Sequence, residues 1–186
     1  MPALPRMTPA DFLAWESDQQ GRHEFVDGEI FAMVGGTLNH NLITLNLVRA
    51  LDARLPPRCR VYVTDVKVQV GKNFFYPDVV SQCGHQDGAS QVVERPGLIA
   101  EVESPSTAEY DQSVKWQNYE RLPTLQSYLL IAQDRIDVRI YRRSGAGWLY
   151  TTHHTLDDTL ELTEPALSLP LRELYAGIEG LDPAAL

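Results

Sequence analysis

Tyr76-Pro77-Asp78-Val79-Val80 and, 23 positions after Asp78, Glu101-Val102-Glu103-Ser104-Pro105-Ser106 decide how this chain is read. Each places an acidic side chain at the end of an apolar, strand-like run. Two carboxylates that converge at neighbouring strand ends could hold a divalent metal. Magnesium and manganese are hard cations that take oxygen ligands, and one or two carboxylates plus substrate phosphate oxygens form the usual site in phosphoryl-transfer enzymes. The pair therefore points to phosphodiester hydrolysis. The competing reading is structural: an Asp after Pro is commonly a turn or cap residue, and a lone Glu on a strand commonly faces solvent. Against it stands the alternation of Leu98-Ile99-Ala100-Glu101-Val102, which sets Glu101 and Glu103 on one face of an otherwise apolar strand.

Working outward, Arg60 to Val70 alternates as one long strand, Gly71-Lys72-Asn73 turns the chain, and Phe74 to Val80 follows. Ser81 to Pro96, rich in Gly, Ser, Gln and Asp, reads as a loop. Asp27-Gly28 joins Glu24-Phe25-Val26 to Glu29 through Met33 as a hairpin. Thr8-Pro9-Ala10-Asp11 opens a short helix, and Asn39 to Leu55 repeats apolar residues at helical spacing. Ser106 with Glu109 suggests a capping box for a helix over about Thr107 to Arg121, stopped by Pro123. Tyr128 to Ala132, Arg135 to Tyr141 and Trp148 to Thr152 read as strands, and Leu171 to Ile178 as a short helix. Strands interleaved with helices indicate an α/β layer structure in one domain spanning residues 1–186.

On the predicted helix, Lys115 shares a face with Asp111 and Tyr119 at i−4 and i+4. It could orient the attacking water or stabilise charge on a phosphate. Alternatively, Lys115 and Asp111 form an ordinary surface ion pair. A third acid for the site is Glu24.

The net charge of −9 excludes binding of nucleic acid by bulk electrostatics, since Lys and Arg neutralisation of phosphates dominates non-specific affinity. A local basic surface from Arg139, Arg142 and Arg143, or from Lys67 and Lys72, remains compatible with that balance. Two cysteines, Cys59 and Cys83, form neither a C-x-x-C pair nor a zinc-like cluster, so no disulfide is expected and a reducing, cytoplasmic setting fits. The N-terminus lacks a signal-peptide apolar core, and no run approaches a membrane span.

In succession, His23-Glu24-Phe25-Val26-Asp27-Gly28-Glu29, Asn39-His40, Tyr76-Pro77-Asp78-Val79-Val80, Leu98 through Thr107, and Asp111 with Lys115 and Tyr119 resemble the bacterial Uma2-type restriction endonucleases of the PD-(D/E)XK nuclease superfamily. The match covers about residues 10–142. The resemblance implies a restriction-endonuclease-like fold, a mixed β-sheet flanked by α-helices, and a metal-dependent endonuclease that cuts DNA with Mg2+ or Mn2+. Carried over, Asp78 is the first acid, Glu101 the second, and Glu24 an acid of the first strand or helix. These three would be the metal ligands. The superfamily lysine two residues after the second acid is here Glu103; in the Uma2-like group it comes from the following helix, as Lys115. His40 matches a family histidine at a helix start and is not placed in the catalytic set. DNA is the implied partner, and a homodimer is expected, as for many nuclease domains of this size. Two other readings stay open: a non-catalytic nucleic-acid-binding or assembly module on the same fold, and a hydrolase of small phosphoesters.

Overall fold

The computed structural model describes residues 7–33, 35–104, 107–163 and 166–181. A six-stranded sheet forms the centre. It consists of β3 (Cys59–Val63), β6 (Val79–Cys83), β8 (Pro96–Glu103), β9 (Ser127–Ala132), β10 (Val138–Ser144) and β11 (Gly147–His153), in the order β11-β10-β9-β8-β6-β3. Only β8 and β9 run parallel; the other neighbours are antiparallel. A second sheet, ordered β2-β1-β5-β4-β7, comprises β1 (His23–Val26), β2 (Glu29–Ala32), β4 (Lys67–Val70), β5 (Asn73–Phe75) and β7 (Val92–Val93).

The two faces of β8 serve two cores. Leu98, Ala100 and Val102 pack with α2 (Leu38–Asp52), α5 (Leu171–Leu174) and a hairpin of β12 (Thr159–Thr163) and β13 (Ala166–Pro170). Ile99 faces the second sheet with Phe75, Val80, Tyr119, Tyr128 and Leu130. A strand covered on both faces is a near-continuous apolar run. An acidic residue within it must find a partner or lose its charge.

Local chemistry explains the flanking elements. In α1 (Pro9–Glu16), the Thr8 hydroxyl accepts from the Asp11 N–H and the Asp11 carboxylate accepts from the Thr8 N–H, which caps both ends of the first turn. Phe12 then stacks on Phe25 at 5.0 Å, fastening α1 to the second sheet. Asp27 and Gly28 both take positive φ, 51° and 92°, as a two-residue turn between antiparallel strands requires. At α2 the Thr37 hydroxyl accepts the His40 N–H at 3.1 Å.

Several expectations are corrected. The predicted strand from Arg60 to Val70 is two strands in different sheets, because the chain leaves the large sheet at Thr64, whose φ is +32°. The expected loop from Ser81 to Pro96 begins three residues later than supposed, β6 continuing to Cys83, and contains β7. Cys59 and Cys83, expected to be free, lie opposite each other in the β3–β6 register and are joined by a disulfide. The predicted helix from Thr107 to Arg121 is α3 (Ala108–Tyr110), a π turn (Asp111–Lys115) and α4 (Trp116–Tyr119) in direct succession. Ser106, proposed as its cap, lies outside the described residues. Lys67, offered as surface charge, is buried and ion-paired to Glu16 at 2.9 Å. The C-terminal helix stops at Leu174 rather than Ile178.

Candidate active site

Glu101 projects from the C-terminal half of β8, and its partners come from two other elements, the π turn and α4. Its Oε2 lies 3.0 Å from Lys115 Nζ, and its Oε1 accepts the Tyr119 hydroxyl at 3.2 Å. The same ammonium lies 3.3 Å from Glu24 Oε1 and 3.2 Å from Asp111 Oδ1. Lys115 is thus the meeting point of three carboxylates, and Glu24, Glu101, Asp111 and Lys115 are all buried. The surface-pair reading of Lys115 and Asp111 is wrong for this reason. The wide π turn carries Asp111 at its start and Lys115 at its end, an irregularity often found at functional sites.

Glu24 is held from two sides: the Tyr76 backbone N–H donates to Oε1 and the Tyr110 hydroxyl to Oε2, each at 3.1 Å. Asp78 stands beside this group. Its Oδ2 accepts the Val102 backbone N–H at 2.7 Å, which fixes it one residue from Glu101, and lies 3.1 Å from His40 Nε2. Glu103 turns elsewhere, to an ion pair with Arg139 and a hydrogen bond from Gln112 Nε2 at 3.3 Å.

The electrostatics follow from burying more negative than positive charge. Burial pushes the Glu101 carboxyl well above the carboxylate range; Lys115 pulls it down, while Asp111, Asp78 and Glu24 push it further up. Burial likewise raises Asp111, against the pull of Lys115. For Lys115, burial opposes the charge, but Glu101, Glu24 and Asp111 outweigh it and keep the ammonium protonated well above the usual lysine range. Burial also opposes protonation of His40, yet its bond to Asp78 and the charges of Asp78 and Asp111 raise its pKa. Burial and nearby carboxylates raise the phenols of Tyr110 and Tyr119, so both remain donors.

Of the residues predicted from sequence, Glu24, Glu101 and Lys115 meet directly, and Asp78 is tethered alongside. Among the described residues, no group of three or more His, Cys, Asp or Glu side chains is disposed as a ready metal-ligand set; the carboxylates converge on the ammonium. The donor chemistry nevertheless fits a hard divalent cation: four acids with oxygen donors, Glu24, Asp78, Glu101 and Asp111, stand against the nitrogens of one lysine and one histidine. Tyr110 and His40 were not in the predicted set. His40 carried a signal, its place in the first turn of a capped helix. Tyr110 carried none, because its partner Glu24 lies 86 positions away.

A model of the Uma2 family, described as "Putative restriction endonuclease", matches residues 9–172. This chain belongs to the Uma2 family. Two Synechocystis sp. (strain ATCC 27184 / PCC 6803 / Kazusa) relatives are similar over most of their length. Uncharacterized protein slr1290 is 34% identical over 179 residues, covering 94% of each chain. Uncharacterized protein sll1609 is 36% identical over 152 residues, covering 78% of this chain and 86% of its own. Among solved structures, a putative nuclease belonging to DUF820 from Anabaena variabilis ATCC 29413 superposes with a TM-score of 0.76, covering 91% of this chain and 98% of that one, at 16% identity. That likeness establishes a shared fold. The Uma2 match extends past the expected boundary at residue 142 to take in β11, the β12–β13 hairpin and the start of α5. Among the described residues, no helix is long and apolar enough to cross a membrane.

Proposed function

We propose that this Uma2 protein is a metal-dependent endonuclease of the PD-(D/E)XK type that hydrolyses DNA phosphodiester bonds with Mg2+ or Mn2+. The observation that carries this reading is the buried Lys115 ammonium, 3.0–3.3 Å from Glu101, Asp111 and Glu24. Glu24, Asp78 and Glu101 would hold the cation, with Asp111 within reach as a fourth acid. Such a cation supplies Lewis-acid stabilisation of phosphate charge and a more acidic bound water. The protein's own groups do the rest. Asp78 is positioned by the Val102 N–H, Glu24 by Tyr76 and Tyr110, and Glu101 by Tyr119, so the carboxylates are oriented before substrate arrives. Lys115, fixed by the π turn, places positive charge where a phosphate would gain negative charge. Glu103, engaged with Arg139, leaves that role to Lys115. A two-fold homodimer, the commonest closed assembly, would present two such sites. A DNA substrate implies a cytoplasmic location in a bacterium; with Cys59 and Cys83 bonded, the cysteines no longer argue for it.

The test is cleavage of supercoiled plasmid in Mg2+ or Mn2+ by wild type, Asp78→Ala and Glu101→Gln, all purified identically. Nicking or linearisation by wild type alone supports the reading; equal cutting by the variants defeats it. One observation favours a second reading, a binding module without hydrolysis: Lys115 already neutralises part of the cluster without any metal. In that case millimolar Mn2+ leaves the melting temperature unchanged, whereas an ion selective for the folded state raises it.

A further inference from the structure

The face of the large sheet that bears Glu101 continues past the helical segment to the open edge of β11, and there it is aromatic. Backbone register aligns Ile99, Tyr128, Tyr141 and Tyr150 in one row across β8, β9, β10 and β11. The adjacent row is Glu101, Leu130, Arg139 and Thr152. Residues paired in this way share a face. Trp116, next to Lys115, stacks on Tyr141 at 3.9 Å, while Trp148 meets Trp116 edge-on at 5.0 Å. Beyond them the stack opens to solvent. Tyr150, 4.9 Å from Tyr141, is 48% exposed.

The charge at this edge has the opposite sign to that of the whole chain. The Arg143 guanidinium lies over the Trp148 ring at 4.3 Å, fixed there by hydrogen bonds from Nε to the Leu125 carbonyl and from one terminal nitrogen to the Leu122 carbonyl. Carbonyls orient it without neutralising it. Among the described residues neither Arg142 nor Arg143 has a carboxylate within ion-pairing distance, in a protein of net charge −9. A held, unneutralised cation flat against an indole, beside an exposed phenol, suits a ligand with both an aromatic face and a phosphate. Three inter-strand steps of about 4.8 Å separate β8 from β11, so Tyr150 lies roughly 15 Å from Glu101, within a few nucleotides along one strand.

We propose that the Tyr150–Trp148 shelf, with Arg143, binds unpaired bases of a DNA strand that leads to the carboxylate site, making single-stranded or frayed DNA the preferred substrate. The proposal rests on the endonuclease reading for the substrate's direction, not for the shelf's affinity. Stacking on aromatic side chains is sequence-tolerant because every base has a π-face, and arginine adds a cationic contact to the same strand.

The experiment measures fluorescence anisotropy of labelled oligothymidylate, and of a blunt duplex of equal length, in EDTA so that nothing is cut. Wild type is expected to bind the single strand at least about tenfold more tightly than the duplex. Tyr150→Ala should weaken single-strand binding by about tenfold, within the range for loss of one stacked base, and leave duplex binding unchanged. Tyr150→Phe should restore it. Tyr150 is exposed, so its variants are expected to fold, and circular dichroism verifies this. Equal affinity of wild type for both DNAs, or wild-type single-strand binding by both Tyr150→Ala and Arg143→Gln, overturns the proposal. So does a Tyr150-dependent change in sedimentation without DNA, which would make the shelf a contact between copies of this chain. Plasmid cleavage, assayed separately, tells the two ideas apart: shelf-dependent binding without cleavage leaves the shelf and removes the nuclease, and cleavage with shelf-independent binding does the reverse.

Discussion

Asp78 accepts the backbone N–H of Val102 at 2.7 Å, so the acid just before β6 is pinned to the strand that carries Glu101. This separates two roles that a single substitution would confuse. Asp78→Ala leaves a partly buried N–H without its acceptor and should cost about 1–3 kcal/mol of stability. Asp78→Asn keeps an acceptor oxygen and should cost less, yet both variants should lose cleavage. Urea unfolding measured beside plasmid nicking checks the split; an active Asp78→Asn would remove Asp78 from the site.

Lys115 compensates three buried carboxylates at once. Lys115→Met should therefore destabilise the metal-free protein by about 3–5 kcal/mol, the cost of stripping one partner from buried charges. Added Mn2+ should recover more stability in this variant than in wild type, because the carboxylates then lack their own cation. Melting curves with and without Mn2+ measure the difference. Equal responses would show that these acids do not bind the ion.

Glu103 supplies a pH signature. Burial lifts its carboxyl to about 7, against the pull of Arg139 and Gln112, from an ordinary value of 4.5. Between those values the folded state holds a proton that the unfolded chain has lost. Its stabilising contribution is therefore present below pH 4.5 and disappears as pH rises through about 7. Glu103→Gln should flatten this part of the stability profile in EDTA. An unchanged slope would mean that Glu103 is ionised throughout, held so by Arg139.

The Cys59–Cys83 bond closes a segment with a sequence separation of 24 and joins β3 to β6, the strand that follows Asp78. On the chain-entropy account, a loop of this size contributes about 3 kcal/mol. Dithiothreitol, or Cys59→Ser with Cys83→Ser, should lower unfolding stability by that amount while plasmid cutting persists. A free-thiol titre of two per chain in the untreated protein would rule the bond out.

Much of this was legible in the residues themselves. Asp27-Gly28 suits a two-residue turn, Thr8 opens a helix, and two acids on one face of an apolar strand demand partners, which marked Glu101; Lys115, by its spacing alone an ordinary pair with Asp111, was named through the family resemblance. The missed features depend on distant chain. Alternation persists on both sides of Thr64, so nothing local shows the strand changing sheets there. Cys59 faces Cys83 only once β3 and β6 are in register. The i,i+4 spacing that predicted one regular helix after Glu103 still brings Lys115 to Asp111 across the π turn and so conceals it.

That turn has an evolutionary consequence. Regular helices rotate about 100° per residue, so deleting one residue between Asp111 and Lys115 would give a tidier helix and swing everything beyond it around the axis. Tyr119 would leave Glu101 and Trp116 would leave Tyr141 in a single step. Relatives that keep both contacts should therefore tolerate substitutions in this stretch far more readily than changes in its length.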